Sequence, residues 1–331
     1  MEFTGVYQMQ MTWKKWTGIA VLIIFIGYLI SVWWSVAPDA IKAQQLKVAE
    51  GPQVVGYATT TSLIITMETL LNKRGGWLSN DVTPPSIFMD NMPAFEFGAL
   101  EQVRDLALIM RKEFSRSQSQ SLSDKDLLAA HSKLNIEHTS WLAPSAEGEY
   151  KDAIKLLKLY RAKISDTHNQ DAQFYARADN LNEWLKEVQK RLGSMSQRLS
   201  ASVGQDRINT DLAGDSEASQ STPKQASQQI KTNWWKIDDV FYEARGETWA
   251  LLNFMKAIEI DFADVLRKKN AEVSLQQIIR ELEETQQAVW SPVILNGSGF
   301  GVVANHSLVM ANYISRANAA VIDLTNLLIK G

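Results

Sequence analysis

Three glycines, Gly297, Gly299 and Gly301, alternate within Val293–Ser307, VILNGSGFGVVANHS, just before a helix-periodic run. Glycines placed there leave backbone N–H groups unshielded at a helix N-terminus, where the helix dipole favours an anion. The spacing matches none of the familiar phosphate or acyl-transfer signatures. A dinucleotide fingerprint needs glycine at position 302, which is valine, a P-loop needs Gly-Lys-Ser/Thr, and Ser298 is not framed as GxSxG. The turn is therefore an anion-accepting site or, more blandly, a hinge between helices. Asn305, His306, Asn312 and Arg316 follow it and extend the candidate site. They are equally the makings of a solvated helix face.

A second place for chemistry is Gly75–Pro93, GGWLSNDVTPPSIFMDNMP, with three prolines and the candidate binding residues Trp77, Asn80 and Asp81. Segments this long without periodicity are often functional. The competing reading is an ordered strap whose Trp77, Ile87, Phe88 and Met89 plug into helices below. His131 and His138 stand seven residues apart, without the i, i+4 spacing and carboxylate of a helical zinc motif, so they read as seam histidines. The chain has no cysteine, which excludes disulfides, thiolate nucleophiles and Cys-ligated zinc. No constellation with catalytic spacing emerges, and no catalytic residue, metal ligand or cofactor is assigned.

What must position these residues starts at Thr17–Val36, TGIAVLIIFIGYLISVWWSV, twenty residues without a charge. As a helix it is about 30 Å long, the thickness of a bilayer's hydrocarbon core. Trp13, Trp16, Trp33 and Trp34 bracket it like an aromatic belt. Ser35-Val36-Ala37 resembles a signal-cleavage site, but the apolar run is longer than a signal's core, so a retained anchor is expected. Lys14 and Lys15 abut its N-terminal side, which puts residues 1–16 in the cytoplasm and the body, 37–331, outside it. Past the anchor the chain carries 32 basic and 36 acidic residues, with no concentrated basic face for nucleic acid.

The body reads as helices throughout. Val54–Arg74 ends at Gly75-Gly76 after a break at Gly51-Pro52, and Phe95–Phe114 follows the strap. A helix is expected through Leu127, Leu134 and Trp141, carrying both histidines, and another from about Glu147 to Ser200 with a register change near His168–Asp171. Its second half spaces Phe174, Ala178, Leu181, Leu185, Val188, Leu192, Met195 and Leu199 by fours and threes, a coiled-coil seam. Residues 201–232 are poor in apolar groups and read as a flexible loop. From Asn233 the same seam resumes through Ile237, Phe241, Leu251, Met255 and Val265, so the two long helices are expected to pair as an antiparallel hairpin. Further helices run through Leu275–Val289 and Val302–Ile329, and Arg316 and Asp323 argue against a second span in the latter.

Several runs, RGGWLSND, TPPSIFMDNMP, EFG, WWKIDDVFYEARGETWALL and WSPVILNGSGFGVVANHSLVMANYISRANAA, resemble a bacterial family catalogued as domain of unknown function 2333. The resemblance implies a membrane-anchored envelope protein of Gram-negative bacteria and carries no activity or catalytic residue with it. The expectation is an all-α, single-pass protein of the inner membrane with a periplasmic body. Its role is that of a non-enzymatic scaffold or adaptor, whose partners are the bilayer, through Thr17–Val36, and a protein of the envelope. The alternative is an envelope enzyme or a lipid or cell-wall ligand-binding protein using residues 75–93 together with the turn 297–301.

Overall fold

The computed structural model describes residues 3–48, 53–116, 123–166, 172–208 and 227–330. Among them ten α-helices account for the architecture: α1 (Phe3–Trp34), α2 (Tyr57–Asn72), α3 (Asn91–Ile109), α4 (Lys125–Leu134), α5 (Ala146–Ser165), α6 (Ala178–Ser200), α7 (Ile237–Asp261), α8 (Ala263–Lys268), α9 (Glu272–Glu284) and α10 (His306–Lys330). Within α1, Trp13–Trp34 is long and apolar enough to cross a membrane, and none of it is buried. It ends two residues short of the expected Val36.

The body is organised around α7, whose residues 244–255 are buried without interruption. A helix apolar or covered all round belongs in the centre of a core rather than on one side of a two-helix seam. Accordingly α7 packs most extensively on α3 and also touches α2 and α9, while α6 packs on α10. The expected α6–α7 hairpin is thereby corrected: the contact between those two helices is minor. Small residues make the α3–α7 crossing close. A Cβ at Gly98 would lie 2.0 Å from the Glu243 carbonyl oxygen, and one at Gly246 would lie 1.9 Å from that of Phe95.

Other expectations shift at the ends of elements. The seam from Leu181 to Leu199 is buried as read, but Phe174 precedes α6 and packs instead with Phe114 and Phe262. The stretch from Glu147 to Ser200 is therefore two helices, α5 and α6. The helix carrying His131 stops at Leu134, so His138 lies on a connecting segment and Trp141 is exposed. Val289 lies beyond α9, and Val303 lies before α10. The two ends of 201–232 are not loop: β1 (Gln205–Ile208) and β2 (Ser227–Ile230) pair antiparallel, Gln205 opposite Ile230. Residues 209–226, Gly51-Pro52 and His168–Asp171 lie outside the described residues.

The body has two ends, defined by which helix termini meet. Trp34 packs against the core at the α2 C-terminus, where a Cβ on Gly75 would lie 2.8 Å from its ring. At the other end of α2, the amides of Ala58 and Thr59 donate to Asp261, the last residue of α7. So α2 and α7 run antiparallel, and the start of α7 lies at the end of the body where α1 enters. We call this the proximal end.

Candidate functional site

The segment joining α9 to α10 folds back on itself at the proximal end. Asn296 and Asn305 pair as an antiparallel bridge, the Gly297 amide donates to the Ala304 carbonyl (3.0 Å), and the His306 amide donates to Leu295 (3.0 Å). Close backbone packing explains glycine at 297, because a Cβ there would lie 1.9 Å from the Val303 carbonyl oxygen. Gly299 has φ +86°, a left-handed conformation that glycine adopts without strain. Asn305 is the pivot. Its Oδ1 accepts from the Leu308 amide (2.8 Å), capping α10, while its Nδ2 donates to Asn296 Oδ1 (2.8 Å) and the Gly297 carbonyl (2.6 Å).

His306 is held in one tautomer. The Leu295 amide donates to its Nδ1 at 3.1 Å, so Nδ1 is an acceptor and the ring proton sits on Nε2. Burial pushes its pKa below the ordinary histidine value, which keeps the ring neutral. It lines a pocket of about 220 Å³ with Phe241, Val289, Trp290, Met310 and Tyr313. Such walls suit an apolar group, with the neutral imidazole as the polar contact. No residue of 75–93 lines this pocket.

Further along α10 the expected cation is already engaged. Arg316 pairs with Glu281 at 2.6 Å and stacks over Tyr313 at 5.8 Å. Asn312 is exposed on the same helix. The glycine turn and Arg316 are thus kept apart by the straight run of α10, about 15 Å from residue 306 to residue 316. Two donors of the anion reading thus have protein partners, the Gly297 amide in Ala304 and Arg316 in Glu281.

The strap 75–93 is likewise tied down, but by fewer plugs than expected. Trp77 is buried edge-on against Tyr150 (5.2 Å) and donates from Nε1 to the His138 carbonyl (3.0 Å). Asn80 donates to the Ser140 carbonyl (3.1 Å), and Asp81 is exposed. Met89 packs against the core, whereas Ile87 and Phe88 are exposed. Beneath the strap sits a buried ion pair, Lys73 Nζ to Glu96 Oε1 at 2.6 Å, and Glu96 also accepts from the Leu78 and Ser79 amides and from Ser79 Oγ. Burial raises the Glu96 pKa, opposed chiefly by Lys73.

Sequence reasoning missed the buried carboxylates altogether. Glu247, covered by α3 and donated to by Gln102 Nε2 (3.3 Å), is pushed up to about 8 by burial. Asp261 is pushed up to about 6 by burial, against the hydrogen bonds it accepts at the α2 N-terminus. Each is enclosed and partnered by protein, an arrangement that orients helices. No group of three or more His, Cys, Asp or Glu side chains able to hold a metal occurs among the described residues.

A family model described as an uncharacterized protein conserved in bacteria, DUF2333, matches residues 6–331. The chain belongs to this bacterial family. No curated protein and no solved structure matches it. Membership of DUF2333 brings no catalytic residue to set beside His306 or the buried carboxylates. Asn296 is also tied to the end of α6, its Nδ2 donating to the Ser202 carbonyl (3.0 Å).

Proposed function

We propose that this protein is a single-pass scaffold of the bacterial inner membrane, with residues before Thr17 in the cytoplasm and the helical body in the periplasm, mounted there to hold a protein partner of the envelope. The observation that carries the reading is the junction between α1 and the body. Trp34, in the last turn of α1, belongs to the core packing, and the Arg74 guanidinium lies 5.6 Å from the centre of the Trp33 ring. Immediately beyond, Trp249 Nε1 donates to the Asp39 carbonyl (3.2 Å) and the Ile41 amide donates to Asn253 Oδ1 (2.8 Å). A leader destined for removal has no use for such a seat; a mount that must transmit a fixed orientation does. The carboxylates whose pKa burial raises, Glu96, Glu247 and Asp261, are spent on internal contacts, which favours a structural body over an active site.

Three measurements test this together. Alkaline carbonate washing should leave the full-length chain in the membrane pellet, and protease added to spheroplasts should digest the body while a cytoplasmic control survives. A chain shortened by a leader's mass overturns the anchor, and a fully protected body overturns the orientation. Crosslinking in intact membranes, followed by recovery of the full chain, should yield one specific adduct; only self-products or none would remove the scaffold role.

A further inference from the structure

The proximal end collects the exposed aromatic surface of the body. Outside α1, every tryptophan or phenylalanine more than half exposed among the described residues is one of six: Phe88, Trp141, Trp234, Trp235, Trp290 and Phe300. They come from four separate connections, each of which lies at the proximal end. Phe88 precedes α3, which runs parallel to α7, since Gln102 meets Glu247 and Phe114, just past α3, meets Phe262, just past α7, so the two helices start at the same end. Trp141 follows Ser140, whose carbonyl accepts from Asn80 of the strap. Trp234 and Trp235 form the turn leading into α7. Trp290 and Phe300 belong to the α9–α10 connection, where His306 meets Phe241 of α7 with ring centres 6.4 Å apart. At the opposite end, the exposed apolar residues near α2 and α9 are aliphatic, among them Val55, Val273 and Ile329.

That distribution is what a bilayer surface selects. Tryptophan and other amphipathic rings favour the headgroup level, where one part of the ring is apolar and another is wet. We propose that the proximal end of the body lies against the outer leaflet, with these six side chains seated in the headgroup region around the foot of α1. The proposal rests on the reading that Trp13–Trp34 spans a bilayer, and goes beyond it by giving the body a lipid contact of its own.

The occupant follows from the tether. Trp34 is seated on the body, and by Asp39 the chain is bonded to Trp249, so the linker is at most five residues, about 17 Å when fully extended. A protein partner covering the six rings would have to enter between the body and the lipid within that span. The rings also continue the belt formed by Trp33 and Trp34 at the end of the span itself. The contact is aromatic rather than ionic, since the same end carries Asp81, Asp90, Asp238 and Asp239 as well as Arg74 and Lys236. It should therefore persist in neutral lipid and at high salt.

The absence of cysteine allows a direct test on the full chain. Phe300→Cys, Trp290→Cys, Val273→Cys and Phe25→Cys would each be labelled with an environment-sensitive fluorophore and reconstituted in phosphatidylcholine nanodiscs, with or without lipid spin-labelled near the headgroup or deep in the acyl chain. Labels at 300 and 290 should lose about half their emission or more to the shallow spin label and resist aqueous iodide. The label at 273 should behave oppositely, and that at 25 should respond to the deep spin label. If 25 responds while 300 and 290 stay open to iodide, the lipid contact is wrong and the anchor stands. If 300 and 290 are shielded from iodide yet unquenched by lipid, a second copy or another protein covers them, and the proposal also falls. Quenching at 273 as well would mean the body lies on its side, and no quenching at 25 would remove the anchor and this inference together.

Discussion

Glu247→Gln is the perturbation whose outcome depends most directly on the physics of the core. Glu247 is almost fully buried, its pKa pushed from the ordinary 4.5 up to about 8, with burial the largest cause and Arg191, Gln102 and Arg198 opposing it. The folded chain thus holds this carboxyl protonated where the unfolded chain ionises it. A carboxyl raised in the folded state contributes stability that is complete below the unfolded value and is lost as pH rises through the folded one. At about 1.4 kcal/mol per pH unit, the full loss across that interval is about 5 kcal/mol. Between pH about 5.5 and 7.5 the share is about 2.7 kcal/mol.

Glutamine copies the shape of the protonated acid and keeps an oxygen for the Gln102 amide, but it cannot ionise. The variant should therefore match the parent near pH 4.5 and exceed it increasingly toward pH 8. At about 2 °C per kcal/mol for a body of this size, the melting temperature of variant minus parent should rise by about 5 °C across that two-unit window. Thermal unfolding of both full-length proteins in the same detergent, at matched pH values, measures this, and other titrating groups cancel in the difference. A difference that stays flat with pH, or a variant less stable throughout, would refute the picture of a neutral, buried Glu247.

Two further outcomes test the packing. Gly98→Ala should destabilise by about 3 kcal/mol or more, since its methyl would meet the Glu243 backbone rather than a movable side chain, whereas Gly27→Ala, with open space around it, should leave the unfolding midpoint unchanged. Lys73→Met should lower stability by about 3–5 kcal/mol near neutral pH by leaving Glu96 buried without its cation. That deficit should shrink as the pH is lowered and Glu96 takes up a proton, and adding Glu96→Gln should recover much of it. A deficit independent of pH would mean the lysine acts through packing alone.

Much of the helical content was legible because it rests on local pattern. The uncharged run of α1, the buried fours and threes from Leu181 to Leu199, and the Gly75-Gly76 stop after α2 are properties of short windows, and short windows carry their own backbone preferences. Element ends were less legible. Val303 continues the apolar period of α10, yet the Asn305 cap starts the helix at His306, because a side-chain acceptor at one position outweighs periodicity. Likewise Trp141 continues the period of α4, but the helix has already closed at Leu134.

Partner choice among helices was not legible at all. The seams of α6 and α7 look alike, and only the three-dimensional arrangement decides that α6 packs on α10 while α7 is enclosed by α2, α3 and α9. The deciding contacts, Gly98 against Glu243 and Gly246 against Phe95, join residues about 150 positions apart, whose closeness no local window records. The candidate site divides the same way. Sequence singled out Gly297, Asn305 and His306 by type and spacing, but their roles as close-packing residue, helix cap and fixed neutral imidazole come from Val303, Leu308 and Leu295 around them. The exposed rings at the proximal end are the reverse case. Phe88, Trp141, Trp234, Trp235, Trp290 and Phe300 look like core residues in the sequence, since aromatic rings ordinarily leave water. It is the fold, by bringing four distant connections to the end where α1 enters, that leaves them outside and gathers them on one surface.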